Sequence, residues 1–195
     1  MAATPRDRDD QGRARQARPR DALGRPLPYG AQGVDPVSED PLPPLETIAA
    51  ARALLAQGRP FAAHEVCEAR WKAAPARERD LWQGLAQLCV ALTHALRGNA
   101  RGAQRLLGRG SGRLEAYEAS GGPTYGLDLP AVRSCCSEKV SSESESSAGS
   151  TTWASKSDVE FAPFRSWVDG NSHSIGRTAD DGGRTARRGC SQRPA

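Results

Sequence analysis

His64, Glu68 and Trp71 stand at i, i+4 and i+7 in the segment Pro60-Phe-Ala-Ala-His-Glu-Val-Cys-Glu-Ala-Arg-Trp-Lys72. On an α-helix that spacing stacks the three along one face, with Phe61 one turn earlier. Cβ atoms one turn apart lie about 5–6 Å from each other, within reach of a shared hydrogen bond or a shared metal ion. Downstream, Gln83, Gln87 and His94 make a second polar line at i, i+4 and i+11. Where the two lines meet, His64, Glu68, Gln87 and His94 form one polar cluster inside a helix bundle. Such a cluster supports two chemistries. In the first, a buried imidazole and carboxylate pair because each is costly to bury alone, and they fix helix register without catalysis. In the second, His64, Glu68 and His94 bind zinc or another divalent metal and serve a metal-dependent hydrolase. The first ranks ahead, because the ligand-type residue that follows His64-Glu65 is Glu68, where a zinc helix places a second His. A third use, a ligand pocket or partner surface floored by Trp71 and Trp82, is the remainder.

The elements that must position these residues are helices. The first runs from about Leu45 to Gln57, after Pro44 and before Gly58, with Leu45, Ile48, Ala51 and Leu55 inward. The second runs from Pro60 to about Ala74, where Pro75 stops it. The third, from about Arg77 to Arg97, has Glu78 and Asp80 in its first turn. It repeats Trp82, Leu85, Cys89, Leu92 and Leu96 at 3–4 spacing. Its apolar face is broad enough to predict a central place in the bundle. Asn99 is the N-cap of a fourth, about Ala100 to Ala119, with Ala103, Leu107, Gly110, Leu114 and Tyr117 inward. Gly108, Gly110 and Gly112 permit either close approach of a neighbour or a break near Gly108.

Outside that core the text changes. Residues 1–44 are charged and then proline-rich, which predicts an extended leader in which Leu23–Tyr29 lies against the core. Residues 127–133 start a fifth helix, after which Ser and Thr fill ten of the nineteen positions from Ser134 to Thr152. The expectation is therefore a helical domain at 45–133 and a disordered Ser-rich tail at 134–195, with Trp153, Phe161, Phe164 and Trp167 unexplained.

Hydrophobic residues make 37% of the chain and aromatics 5%, too few for one core spanning all 195 residues. Net charge is +4, and all basic residues except Lys72, Lys139 and Lys156 are arginine. In the first forty residues seven Arg alternate with seven Asp or Glu, and no run of basic residues stands out, which disfavours nucleic acid as a partner. No stretch reaches eighteen apolar residues and no secretory leader is present, so a cytoplasmic location without a membrane partner is expected. Self-association stays open. Cys67 and Cys89 read as small buried hydrophobes, and no Cys pair has metal-type spacing. GxSxG, the P-loop and a strand-framed GxGxxG are all missing, so nucleophilic and nucleotide chemistries find no support.

Three blocks, Phe61-x-x-His64-Glu65-x-x-Glu68-x-x-Trp71-Lys72, Trp82-Gln-Gly84-Leu85-x-Gln87-Leu88 and His94-x-x-Arg97-Gly98-Asn99-x-x-Gly102-Ala103, resemble the bacterial and archaeal family catalogued as domain of unknown function 309. The resemblance covers about residues 45–119. It implies an all-α bundle with a HxxxExxW motif on His64, Glu68 and Trp71, and it implies no activity. Similar chains continue past the position of Val132 into another amphipathic helix, whereas this one turns Ser-rich at Ser134. A shift of reading frame would produce that join and leave an apolar groove uncovered. The reading taken forward is a small all-α bundle of four to five helices, a binding or structural module with a His/Glu/Trp stripe. The metal-dependent hydrolase is its alternative.

Overall fold

Two turns of one kind set the frame of the bundle in the computed structural model, which describes residues 11–12 and 18–146. In the first, Gly58 takes φ +70°, and the amides of Gly58 and Arg59 close on the carbonyls of Leu55 and Leu54. In the second, Gly98 takes φ +76°, and the amides of Gly98 and Asn99 close on Ala95 and His94. Both satisfy orphan helix-end carbonyls and turn the chain back, and both need a residue that accepts positive φ. The elements they divide are α1 (Pro44–Ala56), α2 (Pro60–Ala73), α3 (Arg79–Leu96) and α4 (Ala100–Ala119), followed by α5 (Leu129–Ser146). A single 3-10 turn, Ala76–Glu78, leads into α3.

Among the described residues the fold is helical throughout, with one isolated bridge between Arg20 and Pro26. The all-α bundle expected from the sequence is what forms. Helix α3 touches α2, α4 and α5, which is the central place that its broad apolar face predicts. Trp82, Leu85, Leu88, Leu55, Leu114, Leu129 and Val140 are almost fully buried. Each side chain of that size stabilises the fold by about 1.5–3 kcal/mol through its burial. No helix among the described residues is long and apolar enough to cross a membrane.

Three details depart from the sequence reading, and one alternative that it left open, at Gly108, is decided. Leu45 is 66% exposed rather than inward, because Pro44 opens α1 and the buried face starts at Thr47, whose hydroxyl donates to the carbonyls of Leu42 and Pro43. Helix α3 begins at Arg79 rather than Arg77, after the 3-10 turn. Helix α4 runs unbroken through Gly108. The largest correction is at Ser134. The helix that starts at Leu129 does not stop there but reaches Ser146, packs on α3 and α4, and buries Leu129, Val132, Cys135, Cys136 and Val140. That 3–4 spacing is a helical stripe, written in Cys and Val among serines. It covers the apolar groove that a shortened bundle would expose. Trp153, Phe161, Phe164, Trp167 and Cys190 lie outside the described residues.

The leader is folded where it is described. Leu27 N and Val34 N donate to the carbonyls of Pro19 and Arg20, and the Asp21 carboxylate accepts from the amides of Leu23 and Arg25. The resulting loop buries Leu23 and seats Gly24 on the ring of Phe61. From α3, Arg97 donates to the Leu23 carbonyl, with Nε at 3.0 Å.

Candidate functional site

Pro60 opens α2 at its first position, where a missing N–H costs nothing, and Pro75 follows its end. Between them His64, Glu68 and Trp71 do share a face. His64 Nε2 stands 3.7 Å from Glu68 Oε2, beyond hydrogen-bond length, and the imidazole lies 5.9 Å from the Phe61 ring. Burial pushes the His64 pKa below its ordinary value more strongly than the Glu68 charge raises it, so the imidazole is neutral at pH 7. The Glu68 carboxylate meets Lys72 Nζ at 3.3 Å on its solvent side. Trp71 packs half-buried against the core. His64 Nδ1 is solvent-excluded and lacks a partner.

His94 belongs to a different place. It ends α3, and its Nδ1 is 2.9 Å from Asn99 Nδ2. Because Asn99 Oδ1 accepts from Gly102 N at 2.9 Å, the Asn99 amide must donate to His94, and Nδ1 carries no proton. His94 thus completes the corner between α3 and α4. Burial and the Arg97 charge hold its pKa below the usual range. The structure therefore brings His64 to Glu68 but does not add His94. Among the described residues no three His, Cys, Asp or Glu side chains stand together as a metal set. The single cluster expected from the two polar lines divides, and α2 meets α3 in the core at Cys67 and Cys89, whose thiols are hydrogen-bonded to each other.

Sequence reasoning missed the densest polar centre. Glu78 is 3% exposed. Its Oε2 accepts from Trp82 Nε1 at 3.3 Å and faces Arg70 at 3.5 Å, and Arg77 Nε lies 3.7 Å from Oε1. Tyr125 donates its hydroxyl to the same carboxylate and lies 5.8 Å from the Trp82 ring, while Arg70 sits 5.5 Å over that ring. Burial alone would raise the Glu78 pKa, but the Trp82 and Tyr125 hydrogen bonds and the two arginines outweigh it and hold it below the usual value. The signal for this centre was Glu78 and Trp82 at i and i+4. Reading Glu78 only as first-turn helix charge hid it. Every carboxylate contact here is internal, so the cluster fastens α2, α3 and the loop before α5.

Gln87 faces outward between α3 and α4. Its amide oxygen is shielded from solvent and has no partner. The shallow groove beside it has a volume of about 620 Å³ and is lined by Asp80, Gln87, Gly108, Arg109, Gly112 and Arg113. Cβ atoms placed on Gly108 or Gly112 would meet nothing within 4 Å, so at these two positions the α4 side of the groove is bare backbone between arginines. Across its end Arg113 holds Asp80 at 2.6 Å. The helices can approach this closely because Gly84 and Gly110 face each other: a Cβ on either would lie 3.2 or 3.0 Å from the other's carbonyl oxygen. Here a polar, open surface is held on a rigid helix pair.

Comparison with known proteins agrees with this picture. Residues 48–106 match the model of the family described as "Domain of unknown function (DUF309)". That match spans α1 to the first turns of α4 and includes His64, Glu68, Trp71, Gln87 and His94. The chain is 42% identical over 57 residues to the protein named "Uncharacterized protein YpuF" of Bacillus subtilis (strain 168). The aligned segment is 29% of this chain and 33% of that relative, so this chain spans about a third of the relative's length. No solved structure matches.

Proposed function

We infer that the region matching the DUF309 family model, residues 48–106, belongs to a binding module whose contact surface is the outer side of the α3–α4 pair. The observation that carries the reading is the Gln87 amide oxygen, shielded and unpartnered beside an open groove floored by glycine backbone. An acceptor left unmade inside a folded chain is a cost, and such costs concentrate where a protein meets something else. The His64–Glu68–Trp71 stripe also holds an unpartnered atom, His64 Nδ1, but its carboxylate is engaged by Lys72 and its imidazole stands against the Phe61 ring, so it is assigned to the scaffold. The metal-dependent hydrolase gains no support, since it needs His94 beside His64 and Glu68. The buried thiols Cys67, Cys89, Cys135 and Cys136 favour a reducing, cytoplasmic setting.

Gln87→Met tests the reading directly. It keeps length and removes the idle oxygen, so urea unfolding should show equal or higher stability, by up to about 1 kcal/mol. A loss above about 1 kcal/mol would show that the amide is engaged within the fold and would remove the groove as the contact surface. Glu68→Gln gives the companion result for the stripe: bound-metal content should be the same in variant and parent.

A further inference from the structure

Helix α4 carries Arg101, Arg105, Arg109 and Arg113 at steps of four. In the linear text they are separated singletons. On the helix they form one ridge, because residues four apart are surface neighbours. The ridge is about 18 Å long at 1.5 Å per residue. Arg101, Arg105 and Arg109 are exposed and make no ion pair among the described residues, while Arg113 is held by Asp80. Between and beside the arginines stand Gly108 and Gly112, with open space above both. Of the acidic residues of α4, Glu118 falls on the α5 flank, where it pairs with Arg133, while Glu115 stands one turn after Gly112 beside the ridge. The exposed side of the helix thus carries four arginines and bare backbone against a single carboxylate, Glu115.

We propose that this ridge binds the phosphate backbone of a nucleic acid duplex. The proposal rests on the binding-module reading above and names the occupant of that surface. Guanidinium is the side chain that grips phosphate with two parallel N–H donors, and it stays charged at every relevant pH. Duplex DNA offers a phosphate about every 3.4 Å along each strand, so an 18 Å ridge faces roughly five on one strand. Glycines between the arginines let a sugar–phosphate strand approach the helix without meeting side chains. A membrane surface fits less well, because among the described residues the exposed large apolar ones are Tyr29, Val34 and Leu45, all distant in sequence from α4. Anchoring in a bilayer interface needs apolar groups beside the charges. A line of phosphate contacts without base-reading neighbours gives binding that depends on salt and not on sequence.

The test is fluorescence anisotropy of the full chain with a labelled 20-base-pair DNA duplex of arbitrary sequence, at 50 and 200 mM KCl. Micromolar binding is expected at the lower salt, with a slope of log K against log salt of about −2.7 to −3.6, as three to four released counterions require. The double variant R105E/R109E should weaken binding by tenfold or more and flatten the slope. R105K/R109K, which keeps the charge, should lose no more than a few fold. R18E/R25E makes the same change in charge on the leader and should shift affinity less than twofold. Both arginines of the ridge pair are exposed and unpaired, and equal circular dichroism melting curves will confirm that the variants fold. No binding at 50 mM KCl, or equal losses from R18E/R25E, would overturn the proposal. So would tighter binding to a 20-residue polyglutamate peptide or to vesicles containing 30% anionic lipid. If duplex binding fails while Gln87→Met is stabilising, the occupant is wrong and the contact surface stands. If Gln87→Met is strongly destabilising while R105E/R109E abolishes duplex binding, the ridge stands without the groove.

Discussion

Glu78 is the residue on which the most partners converge, and its substitution separates structural from titrational effects. Glu78→Gln keeps an acceptor for Trp82 and Tyr125 but leaves Arg70 beside the Trp82 ring without its counter-charge. Removing one member of a buried pair is costly because the other charge stays buried, so a loss of about 3 kcal/mol at pH 7 is expected. The folded-state pKa is depressed, so the charge stabilises the fold above the unfolded value and ceases to do so as pH falls through the folded value. Urea midpoints should therefore differ most near pH 7 and converge under acid, below the ordinary carboxylate pKa. A gap that stayed constant down to acid pH would mean the loss is one of shape, not charge. Tyr125 helps explain why the partners hold: its φ of +54° is unusual for a side chain of that size, and the Glu78 hydrogen bond and Trp82 ring stabilise it. The local half of this chemistry was legible. His64 with Glu68 and Glu78 with Trp82 are both one-turn pairs, fixed by helix geometry alone. The meeting of α2 and α3 was not legible, because it depends on the rotational phase of two helices, which small side chains such as Cys67 and Cys89 set.

At the scale of the element, four glycines on two helices divide by what surrounds them. A Cβ on Gly110 would stand 2.9 Å from Leu88 Cδ2 and 3.0 Å from the Gly84 carbonyl, and one on Gly84 would stand 2.8 Å from Leu114 Cδ2. Backbone cannot move aside as a side-chain end can, so Gly110→Ala should destabilise by about 1–3 kcal/mol through overpacking. Gly108→Ala and Gly112→Ala meet open space and should each stabilise by up to about 1 kcal/mol, the helix preference of alanine over glycine. Thermal melts of the three single variants read both signs. A stabilised Gly110→Ala would show that α3 and α4 are not in close contact there. The sequence exposed this crossing in part, since Gly110 lies on the inner face at helical spacing. Helix α5 was hidden for a different reason. Its buried positions are occupied by Cys135, Cys136 and Val140 between serines, and composition masked a period that burial makes plain. The arginine ridge of α4 was hidden in the same way, since a search for adjacent cations passes over cations one turn apart.

For the whole molecule, one link ties the leader to the helices it lies on. Arg97 at the end of α3 holds the carbonyl of Leu23, and the rings and guanidiniums of Phe61, Arg20 and Arg97 stack around Gly24. The loop at 18–34 therefore straps the open end of α2 to the end of α3, yet it contributes one buried apolar side chain, Leu23. Few buried contacts and much exposed backbone mark a segment that opens on its own, at less free energy than the bundle needs to unfold. Gly24→Ala should release it. Gly24 holds φ +75°, and a Cβ there would fall 2.2 Å from the Phe61 ring, so the loop cannot keep its seat. Trypsin cleavage after Arg20 should then quicken tenfold or more, corresponding to about 1.4 kcal/mol of lost local protection when cleavage follows the open population. The urea midpoint of the helical signal should move far less, because the core cluster from Ile48 to Val140 contains no residue of the strap. If cleavage stayed slow while the helical midpoint dropped, strap and bundle would be one cooperative unit, and the leader would have to be counted as part of the core.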